Sequence, residues 1–418
     1  MRYLRTPLFA ITIISLVFLG IEWKTILHQP APGTDFSIYY RAAGLFGNDP
    51  SGLYMPPQAA WDQYLYPPPS ILIFRFFHLF PEWTSYLLFI GIMYGCLVAA
   101  LLIVQLLYEQ DTRPDRPLPG PPFSGKAGYI IFALASAPVY HNIGLGQIEC
   151  LVLLLSMLYL YFLKSRPLLA GILLAAAIWI KMYPVLLLFP ALFSREGRKT
   201  ILTCLLGGIG ILVITLPFIP FHLYLDFSKK LEAVSQYTSS NIINQSVIAF
   251  GQRLIVPFRQ AFEWPNIYRI PGWLKGINFA LLGLILALAG VKIRKEKDRA
   301  PAGVMANPLL PGAIMLSLGA AFSPLGWGHT FVFSLPLWIL SMKKIEKTVQ
   351  QRIFNWGILL VMALLCLIPV YNHPHFLDNW PIPVQVIYYS RFLIITLLLT
   401  FYCMFERPQP QLQKISDR

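Results

Sequence analysis

From Ala300 to Met342 the chain runs 43 positions without an Asp, Glu, Lys or Arg. A water-soluble domain, in which about a quarter of the residues are charged, leaves no room for such a run. Four further charge-free runs, Trp83–Tyr108, Ala127–Ile148, Thr200–Leu225 and Ile353–Leu377, are 22 to 26 residues long. At about 1.5 Å of rise per residue each reaches across a hydrocarbon core of about 30 Å. Inside that core every backbone polar group must be paired within the protein, which a helix achieves by itself. With 56% hydrophobic and 12% charged residues over the whole chain, the expectation is an all-α polytopic membrane protein. This excludes a disordered chain, a secreted disulfide scaffold and a nucleic-acid-binding domain. Cys96, Cys150, Cys204, Cys366 and Cys403 all lie in apolar segments without a C-x-x-C or a His/Cys cluster, so they read as small core residues.

The net charge of +14 falls between the apolar segments. Apolar windows, Pro/Gly breaks and Lys/Arg clusters suggest about twelve spans, at 7–27, 84–108, 127–140, 148–163, 168–180, 183–193, 200–220, 273–291, 308–322, 329–341, 353–371 and 385–404. The first resembles a signal peptide but has no small-residue cleavage site, and is read as a retained helix. An even number places both termini on one side. If that side is cytoplasmic, inner loops hold 22 of the 33 basic residues and outer loops eight, as the positive-inside rule requires. Residues 1–404 then form one transmembrane domain and 405–418 a short cytoplasmic tail. The long outer segments, 28–83 and 221–272, hold the material for chemistry. Within the first, Pro67 to Pro81 is apolar but too short to span and carries Arg75 and His78, which fits an interfacial helix.

Several outer-side residues carry candidate chemistry. Asp35 follows the first span, where a partly desolvated carboxylate can serve as a base or simply cap a helix starting near Phe36. Asp49 and Asp62 read as ordinary loop carboxylates. Tyr66 opens a Tyr-Pro-Pro-Pro run that shapes either a groove wall or a rigid turn. Gln147 and Glu149 lie in a loop too short to form a domain, and Glu149 also suits a helix N-terminus. Lys181 divides two short apolar helices at a break made by Pro184, beside Tyr183. A cation there either binds an anion such as a lipid-linked phosphate or snorkels to headgroups. His329 starts another helix and either packs or contacts a phosphate, a sugar hydroxyl or the base. Asn244-Gln245-Ser246 meets the N-glycosylation pattern, but polar lining of an outer groove is preferred. Arg253, about two turns later, is a phosphate ligand or a surface charge. No Walker motif, G-x-S-x-G, H-E-x-x-H or D-x-D is present, so any transfer must draw on an activated substrate.

Asp35 after the first helix, Tyr66-Pro-Pro-Pro69, Gly146-Gln147, Ala170-Gly171 leading to Ile180-Lys-Met-Tyr-Pro184, Asn244-Gln245 and Ser323-Pro-Leu-Gly-Trp-Gly-His329 together resemble the glycosyltransferase 87 family. The resemblance covers roughly residues 30 to 330. It implies a GT-C-type bundle, with interfacial helices in the first outer loop, and a polyprenol-phosphate-mannose-dependent mannosyltransferase-like activity. The implied reaction is inverting transfer of a hexose, mannose foremost, from a polyprenyl-phosphate donor to a lipid or glycan hydroxyl. It would occur at the outer face of a cell membrane, a bacterial plasma membrane by the resemblance. Asp35 would be the general base. Lys181, then His329 and Arg253, would hold the donor phosphate, and Tyr66, Gln147, Tyr183, Asn244 and Gln245 would line the cavity. No metal or cofactor is expected, because a monophosphate leaving group carries less charge than a nucleotide diphosphate. The competing expectation is a lipid or solute transporter or flippase with broken helices, against which stands the lack of internal repeats.

Overall fold

The computed structural model describes residues 7–54, 64–112, 127–256, 267–299, 307–347, 352–368 and 380–405. Asp62, Arg259 and the tail from 406 onward lie outside them. Among the described residues four helices are long and apolar enough to cross a membrane: Phe9–Leu27, Glu82–Gln110, Arg195–Thr215 and Gly272–Asp298. Two bent pairs raise the number to six if each is one crossing: Ala137–Leu145 with Glu149–Phe162, bent by 120°, and Ile382–Tyr389 with Arg391–Phe405, bent by 71°. The chain is a helical, multi-pass membrane protein, and its described residues hold four to six apolar crossings by length rather than about twelve.

The difference comes largely from prolines within or at the edges of the expected spans, which shorten or divide their helices. The expected span 127–140 is two helices, Ala127–Leu134 and Ala137–Leu145, with Pro138 in the first turn of the second. The expected span 183–193 is a 3-10 helix, Tyr183–Leu187, followed by a four-residue helix, Leu188–Ala191. Pro184 and Pro190 each lack an N–H that a continuous helix would use. The expected span 329–341 starts as the 3-10 helix Gly328–Ser334 and continues as Leu335–Lys347. Between Pro67 and Pro81 a 3-10 turn, Pro68–Ser70, leads into Ile71–Phe77, a helix of seven residues and so only about 10 Å long. One small sheet is present among the described residues, with Tyr237–Ser239 antiparallel to Ile267–Arg269.

Helix Glu82–Thr112 packs on Glu149–Phe162, which packs on Pro167–Ile180, which packs in turn on Arg195–Thr215. The last contact is close because Gly171 carries no side chain: a Cβ there would collide with the side chain of Thr203. On its far side Arg195–Thr215 turns Leu202, Leu205, Leu206, Ile209 and Val213 outward, each 57–58% exposed. A continuous apolar face of this kind suits lipid rather than water.

Two glycines build the corner that matters for chemistry. Gly146 ends helix Ala137–Leu145 with φ of 73°, a left-handed conformation, and a Cβ there would lie 2.5 Å from that of Phe36. Gly33 precedes helix Thr34–Asn48 and rests on the backbone of the same corner, where a Cβ would fall 2.5 Å from the carbonyl oxygens of Gly144 and Leu145. The first turn of Thr34–Asn48 is thereby docked against the residues that follow Gly146.

Candidate active site

Docking at this corner joins residues far apart in sequence. Asp35, in the first turn of Thr34–Asn48, accepts a hydrogen bond on Oδ2 from Gln147 Nε2. The other end of the same amide, Gln147 Oε1, accepts from Tyr39 OH at 2.8 Å, Tyr66 OH at 2.6 Å and Lys181 Nζ at 3.4 Å. Tyr39 follows Asp35 by four residues, one helical turn, so both reach Gln147 from one face. Lys181 is placed by the end of helix Pro167–Ile180: its backbone is extended, with φ of −154° and ψ of 129°, and its N–H still bonds Ala177 O at 2.9 Å. The chain then turns through Pro184.

Beneath this layer lies Glu149, which has no exposed surface. Its Oε1 pairs with Lys181 Nζ and lies 3.4 Å from His329 Nε2, and its Oε2 accepts from Asn142 Nδ2 at 2.9 Å. Lys181 also donates to Tyr66 OH at 3.1 Å and lies over the rings of Tyr66 and Tyr183, 5.0 and 5.6 Å from their centroids. Tyr183 OH in turn bonds Leu325 O at 3.1 Å, tying the cluster to the turn that carries His329. Asp35, Gln147, Tyr66, Lys181, Tyr183 and His329 thus form one continuous constellation. Gln147, Tyr66 and His329 are buried within it, whereas Asp35 and Lys181 keep part of their surface open.

The environment prepares Asp35 for proton transfer. Its carboxyl is raised to about 6, chiefly by burial: the Gln147 hydrogen bond offsets part of that rise, Glu149 adds to it, and Lys181 opposes it. Such a carboxylate is ionised at neutral pH yet holds a proton more firmly than a solvated aspartate.

Asn244, Gln245 and Arg253 are not brought to this constellation. Asn244 Nδ2 donates to Thr238 Oγ1, Ser239 O and Pro324 O at 3.0 to 3.2 Å. Gln245 Nε2 donates to Ile242 O and Tyr389 O, and its Oε1 accepts from Phe392 N at 3.3 Å. Arg253, 2% exposed, donates to Asn241 O at 3.0 Å, Asn244 O at 2.7 Å and Ser390 Oγ at 2.9 Å. The sequence expectation is corrected here: Arg253 is neither a surface charge nor joined to Lys181, and the two amides bind backbone rather than line an open groove. Burial of Asn244 likewise speaks against the glycosylation reading. Their influence on the site is indirect, since Gln245 N bonds Gly326 O at 2.7 Å and Gly328 N bonds Ile243 O at 2.8 Å, which fixes the turn before His329.

Two members of the cluster carry more than their sequence context suggests. Tyr39 has no role in the motif pattern, although its four-residue spacing from Asp35 is a signal that places both on one helical face. Glu149 stands out in sequence as a polar member of a short outer loop that equally suits a helix N-terminus, but its partners Lys181 and His329 are distant along the chain and not legible there.

The family model described as Glycosyltransferase family 87 matches residues 64–324, more than half of the chain. This segment includes Tyr66, Gln147, Glu149, Lys181 and Tyr183, and leaves Asp35 and His329 outside. No curated protein matches the sequence.

Proposed function

The chain belongs to glycosyltransferase family 87 and is a membrane glycosyltransferase, and from this premise we propose that it transfers a hexose, mannose foremost, from a polyprenyl-phosphate donor to a lipid or glycan hydroxyl. A GT-C-type helical bundle is part of the same proposal. Asp35 takes the acceptor proton. The hydroxyl oxygen attacks the anomeric carbon as the bond from that carbon to the phosphate oxygen breaks, with inversion. The electron pair leaves with the polyprenyl phosphate, which Lys181 stabilises, assisted by His329. Gln147 keeps base and cation in register by holding both. Family membership sets the transporter expectation aside.

The observation that carries this reading is the joining of Asp35 and Lys181 through one glutamine side chain, with these two charged groups left partly open. A base and a phosphate-binding cation must flank the anomeric carbon from different sides, and the Gln147 amide spans such a gap. The basic residues of the inner loops support cytoplasmic termini and an outward-facing site.

The test is transfer by purified protein in liposomes, comparing labelled mannosyl-phosphoryl-polyprenol with a nucleotide-linked mannose. The expected result is transfer from the lipid-linked donor alone, with inverted anomeric configuration in the product. Transfer from the nucleotide sugar alone, or retention of configuration, would contradict the reading.

A further inference from the structure

The three N–H bonds of an ammonium group give Lys181 as many donors as the partners around it: Glu149, Tyr66 and Gln147. A phosphate reaching Lys181 must therefore displace one of them. Glu149 alone among the three carries charge, and it lies on the buried side of Lys181, whose side chain keeps 14% of its surface exposed. Asn142 holds the other carboxylate oxygen, Oε2, and His329 lies 3.4 Å from the oxygen that Lys181 contacts, so Glu149 keeps neighbours of its own when Lys181 turns to a phosphate.

We propose that Glu149 is the resident counter-ion of Lys181, a positioning residue that competes with the phosphate and so releases the lipid phosphate product. This rests on the reading of the cluster as a donor-phosphate site. The donor is a phosphodiester with one negative charge. Breaking its bond to the sugar leaves a phosphate monoester that carries up to one charge more, so Lys181 holds the product more tightly than the substrate. Glu149 is fully buried, so its charge is weakly screened and opposes that hold. Product departure is then the step it favours, at the expense of some donor affinity.

A carboxylate that merely posts Lys181 would act with the opposite sign, and Glu149→Gln separates the two. Transfer kinetics from mannosyl-phosphoryl-polyprenol, with polyprenyl phosphate as inhibitor, are expected to show the product inhibition constant falling about tenfold and donor KM by less, while kcat declines. A raised donor KM, or unchanged constants, would overturn the proposal. Should this variant not fold, wild-type protein labelled with 13C-glutamate provides a second measurement. Adding polyprenyl phosphate is expected to shift a glutamate carboxylate band in the infrared difference spectrum, and an unchanged spectrum would refute the exchange of partners. Wild-type protein that neither transfers from the lipid donor nor binds polyprenyl phosphate would remove the parent reading as well. Active wild type with an untightened variant would remove this inference alone.

Discussion

Two polar networks lie within this apolar chain, and they are built differently. Around Arg253, the guanidinium, Asn244 and Gln245 bind mostly backbone carbonyls, all of it enclosed. Around Gln147, side chains bind side chains, charges of both signs meet, and Asp35 and Lys181 retain access to the surface. A buried polar group must be hydrogen-bonded in either case, so burial alone does not separate scaffold from site. What separates them is the identity of the partner. Backbone carbonyls fix a loop, whereas ionisable side chains that exchange partners with a ligand can do chemistry.

The largest effect belongs to the network that reaches the surface. Asp35→Asn should lower transfer by about 10²- to 10⁴-fold, the usual contribution of a general base, without lowering the melting temperature of the solubilised protein. Near-normal turnover would remove the distinction between the networks. Arg253→Met should do the reverse: thermal unfolding is expected to reveal a loss of roughly 3 kcal/mol from unpaired carbonyls, while the folded fraction keeps its donor KM. A selective rise in donor KM would instead return Arg253 to the site. Lys181→Met should raise donor KM roughly ten- to a hundredfold, the equivalent of losing one charge-assisted contact, which steady-state kinetics would read directly. The smallest effect is expected from Gln147→Leu. Its hydrogen bond lowers the Asp35 pKa, so its loss should move the acid limb of the rate profile upward. A downward shift would contradict that role.

How much of this is legible in sequence follows from the range of the forces involved. Membrane class comes from charge-free runs, a property of neighbouring residues. The break at Lys181 comes from Pro184, which is also local. Among the described residues four helices, or six with the bent pairs, are long and apolar enough to cross rather than twelve, partly because Pro138 and Pro190 fall inside apolar windows that read as continuous. Asp35, Gln147, Lys181, Tyr66 and Tyr183 are each legible as polar groups near span ends. Their union through the Gly33 and Gly146 corner is not, since no periodicity encodes a contact across 112 residues. Arg253 misleads for the same reason: its partners are mostly carbonyls, which every residue carries, so nothing in the side-chain pattern announces them.

Whether Asp35 is a base poised by its surroundings is tested most directly by the pH dependence of kcat/KM for the wild-type protein. A base acts only when deprotonated, and burial raises this carboxyl from the ordinary 3.8 to about 6, so activity should be lost as pH falls through about 6. A profile that stays flat down to the pH where ordinary solvated aspartates protonate would contradict the assignment of Asp35.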